Sequence, residues 1–226
     1  KTQIDALVNG GMDQEQALYK VLKDTIIASR NICFEGDGYS EEWKQEATRR
    51  GLTNICHVPE AIMQFNSPQS RNVLLGEKIF NENELTCRIE VELEKYTKKI
   101  QIESRILGDL AINHIVPTAV TYQNRLLENL RGLRETFTPE EYEILGADRK
   151  ELVKEIQLHI LAIKRLVNEM TEARKVANHL GSQVEKAFSY EENVSPYLAK
   201  IREHIDELEM EIDDEIWPLP KYRELL

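Results

Sequence analysis

Cysteine occurs only three times in 226 residues, and Cys33, Cys56 and Cys87 stand far apart with no C-x-x-C pair among them. Neither a disulfide framework nor a zinc knot is encoded, and a reducing, cytoplasmic setting fits best. Glycine (10) and proline (7) are scarce, so few turns are specified and the elements must be long. Basic residues fall short of acidic ones, 29 against 40, for a formal charge of −11. A negative field of that size repels phosphate backbones and anionic headgroups, which argues against nucleic acid and membrane surfaces as partners. No apolar run approaches membrane-spanning length and nothing resembles a signal peptide. The first residue is Lys1 rather than methionine, so the chain reads as a piece cut from a longer protein.

What is present is helix. Hydrophobic residues at 41% and charged residues at 31% suit long amphipathic helices with solvated outer faces. From Asp13 to Ala28, Ala17, Leu18, Val21, Leu22 and Ile26 share one helical face, with Gly10 and Gly11 as a flexible lead-in. Ser40 is an N-cap for a helix that carries Glu41 and Glu42 in its first turn and ends at Gly51. Leu52–Phe80 holds short pieces only, one of them opened by Pro59 and followed by Pro68. From Asn81 to Leu133 a single stripe runs through Leu85, Ile89, Leu93, Tyr96, Ile100, Leu107 and Leu110. Past Pro117 it resumes at Val120, Leu126, Leu127 and Leu130, so proline should kink this helix rather than stop it. About fifty continuous residues would span roughly 75 Å.

Thr138-Pro139-Glu140-Glu141 is a capping box that opens a short helix closed at Gly146. Asp148 begins another long helix, with Leu152, Ile156, His159, Ile163, Leu166, Met170, Ala173, Ala177 and Leu180 spaced by fours and threes. Val194, Leu198, Ile201, Ile205, Leu208 and Ile212 repeat the device. Gly181 and the Ser182–Ser189 stretch allow these two heptad seams to fold back on each other. The expected fold is all-α: a bundle of long antiparallel helices over residues 81–226, with short helices and loops over 1–80 packing on it as one structural unit.

Candidate chemistry is thin. Di-iron bundles use inward Glu-x-x-His pairs, and none occurs. Glu155 with His159 and His204 with Glu207 would meet if the heptad helices run antiparallel, which raises a metal reading beside the plainer one of core-edge histidines next to solvated glutamates. The plainer reading is preferred, and no metal is assigned. His114, just before Pro117, reads as a buried imidazole bonded to a carbonyl freed by the kink. Gly36-Asp37-Gly38 lacks the third glycine of a dinucleotide fingerprint and the lysine of a P-loop, and the neighbouring acids oppose phosphate. An EF-hand ligand pattern is absent. Cys56 beside His57 is adjacency in sequence, not a nucleophile–base geometry.

One stretch does not arise from helix periodicity: Ile32-Cys-Phe-Glu-Gly-Asp-Gly-Tyr-Ser-Glu-Glu-Trp43, followed by Glu46-Ala-Thr-Arg-Arg-Gly-Leu52. With Glu84-Leu-Thr-Cys-Arg-Ile-Glu90, Glu94-Lys-Tyr96, Asn113-His-Ile-Val-Pro117 and Tyr122-Gln-Asn124, it resembles the region after the catalytic core of type III glutamine synthetases. The ending Asp213-Asp-Glu-Ile-Trp-Pro-Leu-Pro-Lys-Tyr-Arg-Glu-Leu-Leu226 is similar to that family's C-terminal tail. The resemblance implies a parent that joins ammonia to glutamate with ATP and magnesium or manganese, in large stacked-ring homo-oligomers. The family's catalytic, nucleotide and metal residues lie in upstream domains, so none is carried over to this chain.

Under that resemblance the chain is expected to be inactive alone and to shape subunit packing. A loop of Gly36, Asp37, Gly38, Tyr39, Ser40 and Trp43 would either reach a neighbouring subunit or the active-site entrance or, as preferred, plug the bundle's end with Trp43 and Tyr39. An aromatic tail of Trp217, Pro218, Pro220 and Tyr222 calls for packing partners. Two other classes stay open: a free-standing helical scaffold associating through its heptad seams, and a regulatory module with a polar pocket in Leu52–Phe80.

Overall fold

A computed structural model of the chain describes residues 2–221. The described residues are helical throughout, with no strand among them. The helices are α1 (Thr2–Asn9), α2 (Gln14–Ala28), α3 (Glu41–Arg49), α4 (Val58–Met63), α5 (Pro68–Gly76), α6 (Glu82–Leu110), α7 (Val116–Thr136), α8 (Pro139–Leu145), α9 (Ala147–His179), α10 (Gln183–Ser189) and α11 (Ser195–Glu211). The chain divides into two compact units after Cys56.

In the first unit α1 packs on α2. The connection between them runs through Gly10 and Gly11. Gly11 sits at φ +94°, where a side chain is strained, and Asp13 caps α2 by accepting from the Glu15 amide at 3.0 Å. Ala17 is buried and Val21 half-buried on the inner face of α2. On its outer face Leu18, Leu22 and Ile26 are 45%, 53% and 67% exposed. Ser40 caps α3 through the Trp43 amide at 3.2 Å, and Gly51 closes it at φ +73°.

The second unit is built on helices as long as the sparse glycines imply. Asn81 and Glu84 form a capping box at the start of α6. The helix then runs on through a π turn, Ala111–Ile115, into α7, 55 residues in all. Pro117 has no amide hydrogen to offer the preceding turn, and the wider i→i+5 bonding just before it absorbs the defect, so the helix continues as expected. His114 lies in that π turn but is exposed, not buried against a freed carbonyl. The chain returns through α8, capped by Thr138 and Glu141, into the 33-residue α9.

After α9 only Leu180–Ser182 interrupts the helices, because Ser182 caps α10 at the Glu185 amide, 3.3 Å away. Most of the stretch that lets the two seams fold back is helix, and it enters α11 through a second π turn, Tyr190–Val194. Pro196 follows that turn by two residues, just as Pro117 follows the first. The same missing amide meets the same accommodation.

Packing follows the seams. Ile156, Ile163, Leu166, Met170 and Ala177 of α9 are buried with Ile201, Ile205 and Leu208 of α11, and with Ile115 and Ala119 of the long helix. A second cluster gathers Leu85, Ile89, Leu93 and Ala187 with Ile62 and Met63 of α4 and Leu74 and Leu75 of α5. The segment from residue 57 to 80 therefore packs with the long helices, and α5 is a helix the sequence pattern did not reveal.

Candidate functional site

The idiosyncratic loop is organised by an aromatic clasp inside the first unit. The Phe34 and Trp43 rings pack with centroids 4.1 Å apart. A Cβ built on Gly36 would lie 2.6 Å from the Phe34 ring, so glycine is needed there for close approach. Asp37 accepts from the Tyr39 amide at 2.9 Å, an Asx turn that leads the chain to the Ser40 cap. Arg50 lies 5.9 Å from the Phe34 ring centroid and donates to the Cys33 carbonyl at 2.5 Å. Glu46 holds Arg49 and Arg50, and those hydrogen bonds keep its carboxyl far below the usual range, at about 2. Gly38 and Ser40 complete the turn, but Tyr39 plugs nothing: it is 96% exposed. Phe34 and Arg50 were not singled out from sequence, although both stand within the motif that carried the resemblance.

In the second unit Glu191, from the π turn, ties three elements together. It accepts from the Tyr96 hydroxyl on α6 and bonds His57 Nδ1, at the start of α4, at 2.6 Å. Burial, then the hydrogen bond to Glu191, push the Tyr96 phenol well above its ordinary pKa. A hydroxyl so held is neither a base nor a nucleophile near neutral pH, so the arrangement fastens rather than reacts. Cys33, Cys56 and Cys87 are all free and exposed.

The antiparallel packing does bring His159 and His204 together, Nδ1 to Nδ1 at 3.1 Å. One ring must donate and the other accept, so the contact holds with one and only one of the two Nδ1 atoms protonated. Burial first, and the neighbouring His159 second, lower the pKa of His204. Glu155 and Glu207 stay exposed and complete no ligand set. Among the described residues no group of three or more His, Cys, Asp or Glu side chains is placed to hold a metal.

Trp217 finds its packing partners within the chain, being 8% exposed in the bundle core. Pro218 and Pro220 are exposed, and Tyr222 lies outside the described residues. Lys221 is buried over the end of α11, donating to the carbonyls of Glu209 at 2.5 Å and Ile212 at 2.9 Å and pairing with Asp214. It satisfies carbonyls that a helix end leaves open, where the dipole also favours a cation. Beside it runs a groove of about 730 Å³ lined by Asp206, Glu209, Glu211 and Asp213, an acidic wall unsuited to nucleotide phosphates.

The structure thus assembles clasps and caps, with no nucleophile beside a base among the side chains described above. The family profile for the glutamine synthetase C-terminal domain matches residues 17–134, just over half of the chain. The chain belongs to the glutamine synthetase C-terminal domain family. It is 69% identical, over all of its 226 residues, to a glutamine synthetase of Bacteroides fragilis, of which it covers 31%. It is 30% identical to the type-3 glutamine synthetase of Dictyostelium discoideum, with 94% of this chain and 29% of that protein covered. A glutamine synthetase of Butyrivibrio fibrisolvens is 26% identical over 96% of the chain and 30% of its own length. The domain spans just under a third of the length of these relatives. The matched region takes in the Phe34–Trp43 clasp, the long helix and its π turn, and stops before α9 and α11.

Proposed function

We propose that this domain is a non-catalytic part of an ATP-dependent glutamate–ammonia ligase and serves the packing of its parent. The parent acts in the cytoplasm as a homo-oligomer with ATP and magnesium or manganese, all held by its other domains. The observation that carries this reading is the outer face of α2. Leu18, Tyr19, Leu22 and Ile26 follow one another around a single face and are exposed, while Ala17 and Val21 already pack inward. Contiguous large apolar side chains in water mark a surface that another part of the protein covers. The relatives are about three times as long as this domain, so the occupant is the remainder of the parent chain.

Replacing Leu18, Leu22 and Ile26 together by serine in the intact parent should disrupt its assembly or lower its thermal midpoint by several degrees. The same change should leave the isolated 226-residue chain folded. A parent that assembles and forms glutamine normally with all three serines would sink the reading. The free-standing scaffold reading has less support, because the α9 and α11 seams are spent on each other.

A further inference from the structure

Four arginines of the bundle stand beside carboxylates, Arg71 at Glu82, Arg125 at Asp213, Arg165 at Glu169 and Arg202 at Asp206, whereas Arg88, Arg131, Arg134 and Arg149 do not among the described residues; what sets Arg105 and Arg174 apart is that they face each other. Arg105 on α6 and Arg174 on α9 have neither an ion pair nor a hydrogen bond among the described residues, although acidic side chains outnumber basic ones in the chain. The two helices run antiparallel with a register fixed at both sides of this pair. Gln101 donates to Asn178 Oδ1 at 3.2 Å on one side, and on the other a Cβ at Gly108 would meet Val167 at 3.5 Å and Met170 at 3.6 Å. One turn in from the Gln101–Asn178 contact, that register sets Arg105 against Arg174.

The surroundings are fixed. Tyr190, fully buried in the second π turn, donates its hydroxyl to the same Asn178 Oδ1 at 2.8 Å. Two donors on that oxygen orient the amide, and Asn178 Nδ2, at an exposed residue, has no partner among the described residues. Arg174 is half-buried, and burial first, then the like charge of Arg105, lower its pKa. Two guanidinium groups on facing turns, the exposed Arg105 and the half-buried Arg174, repel each other unless an anion lies between them. Their planar forks match the paired oxygens of a carboxylate or phosphate.

We propose that Arg105 and Arg174, with the Asn178 amide beside them, form a binding site for an oxyanion, carboxylate or phosphate in kind. This inference does not rest on the packing role of α2. A free small anion and a carboxylate side chain of the parent present the same chemistry and are told apart by experiment.

The test is the thermal midpoint in inorganic phosphate against chloride at matched ionic strength, for the wild-type 226-residue chain and for Arg105→Gln and Arg174→Gln. Phosphate should raise the wild-type midpoint by a few degrees and saturate, and each variant should lose that response. In the intact parent, an equal phosphate response would assign the site to a free anion. A parent that ignores phosphate but loses several degrees on Arg105→Gln would assign it to a carboxylate of its own. A wild-type chain responding to phosphate no more than the variants overturns the proposal. So does a midpoint that simply rises in both variants without any phosphate dependence, since the pair would then be uncompensated repulsion and nothing more.

Discussion

Helices α2 and α9 carry the same kind of pattern and put it to opposite use. Along α9, Ile156, Ile163, Leu166 and Met170 disappear into a core shared with α11. Along α2, Leu18, Leu22 and Ile26 repeat at helical spacing and stay in water. Periodicity states which face of a helix is apolar; it does not state what covers that face. The difference lies in the partner. Helix α11 returns antiparallel within the same chain, whereas within the first unit α2 packs on the short α1.

The sharpest way to break this comparison is to truncate one residue from each helix family. Leu208→Ala on α11 removes a fully buried side chain from a packed seam and should cost about 2–5 kcal/mol in the isolated chain. Leu22→Ala on α2 should change stability there by no more than about 0.5 kcal/mol. Both are read from urea unfolding. Equal losses would mean that the α2 stripe is already buried in solution, and the contrast would be gone.

Much of the bundle was legible because long amphipathic helices write their faces into sequence. Leu85, Ile89, Leu93 and Ile100 stand on one stripe and are all buried, the first three in one cluster and Ile100 in the other, and the Thr138 and Ser40 caps sit where side-chain chemistry predicts. What stayed hidden has physical reasons. Helix α5 has weak periodicity and gains its place by packing Leu74 and Leu75 on α6, a tertiary effect. The second π turn was signalled only by Pro196 within a helical pattern, and the Ser182–Ser189 stretch, which does let the two seams fold back, holds a helix because its first serine serves as a cap. The clasp was half legible: Gly36 and Trp43 stood out by type, but the Phe34 ring lying over Gly36 is a matter of rotamer and geometry. Lys221 caps a helix from nine residues beyond Ile212, a contact that no local pattern announces.

That lysine offers the next test. Lys221→Met keeps the aliphatic stem and removes the donor, leaving the Glu209 and Ile212 carbonyls without it. A loss of about 1–3 kcal/mol is expected in the isolated chain. If methionine costs nothing, water already serves those carbonyls and the end of α11 is held by Trp217 alone. In the first unit Gly36→Ala should displace the Phe34 ring from Trp43, at a cost of about 1 kcal/mol. The change should appear in the tryptophan emission and near-ultraviolet dichroism; an unaltered tryptophan signal would show that the ring has room to move.

The smallest effect expected is one of pH, and it sits on the α9–α11 seam. His204 has a folded-state pKa below its unfolded value of 6.5, so the unfolded chain takes up a proton before the folded one does. Its contribution is complete at pH values above about 6.5 and is lost as pH falls below that. The groups acting on it are His159 and Arg165, which oppose its charge, and Glu203 and Glu207, which favour it. Glu211 at the end of the same seam works in the other sense. Burial raises its pKa above 4.5, so it favours the folded state at low pH and loses that contribution as pH rises through its folded value. Comparing wild type with His204→Gln between about pH 7.5 and 5.5 isolates the histidine, because Glu211 is common to both. The wild-type chain should lose stability relative to the variant as pH is lowered across that window. A constant difference would mean that the 3.1 Å contact is open in solution, and that the seam tolerates a charge on His204 as readily as the outer face of α2 tolerates its leucines.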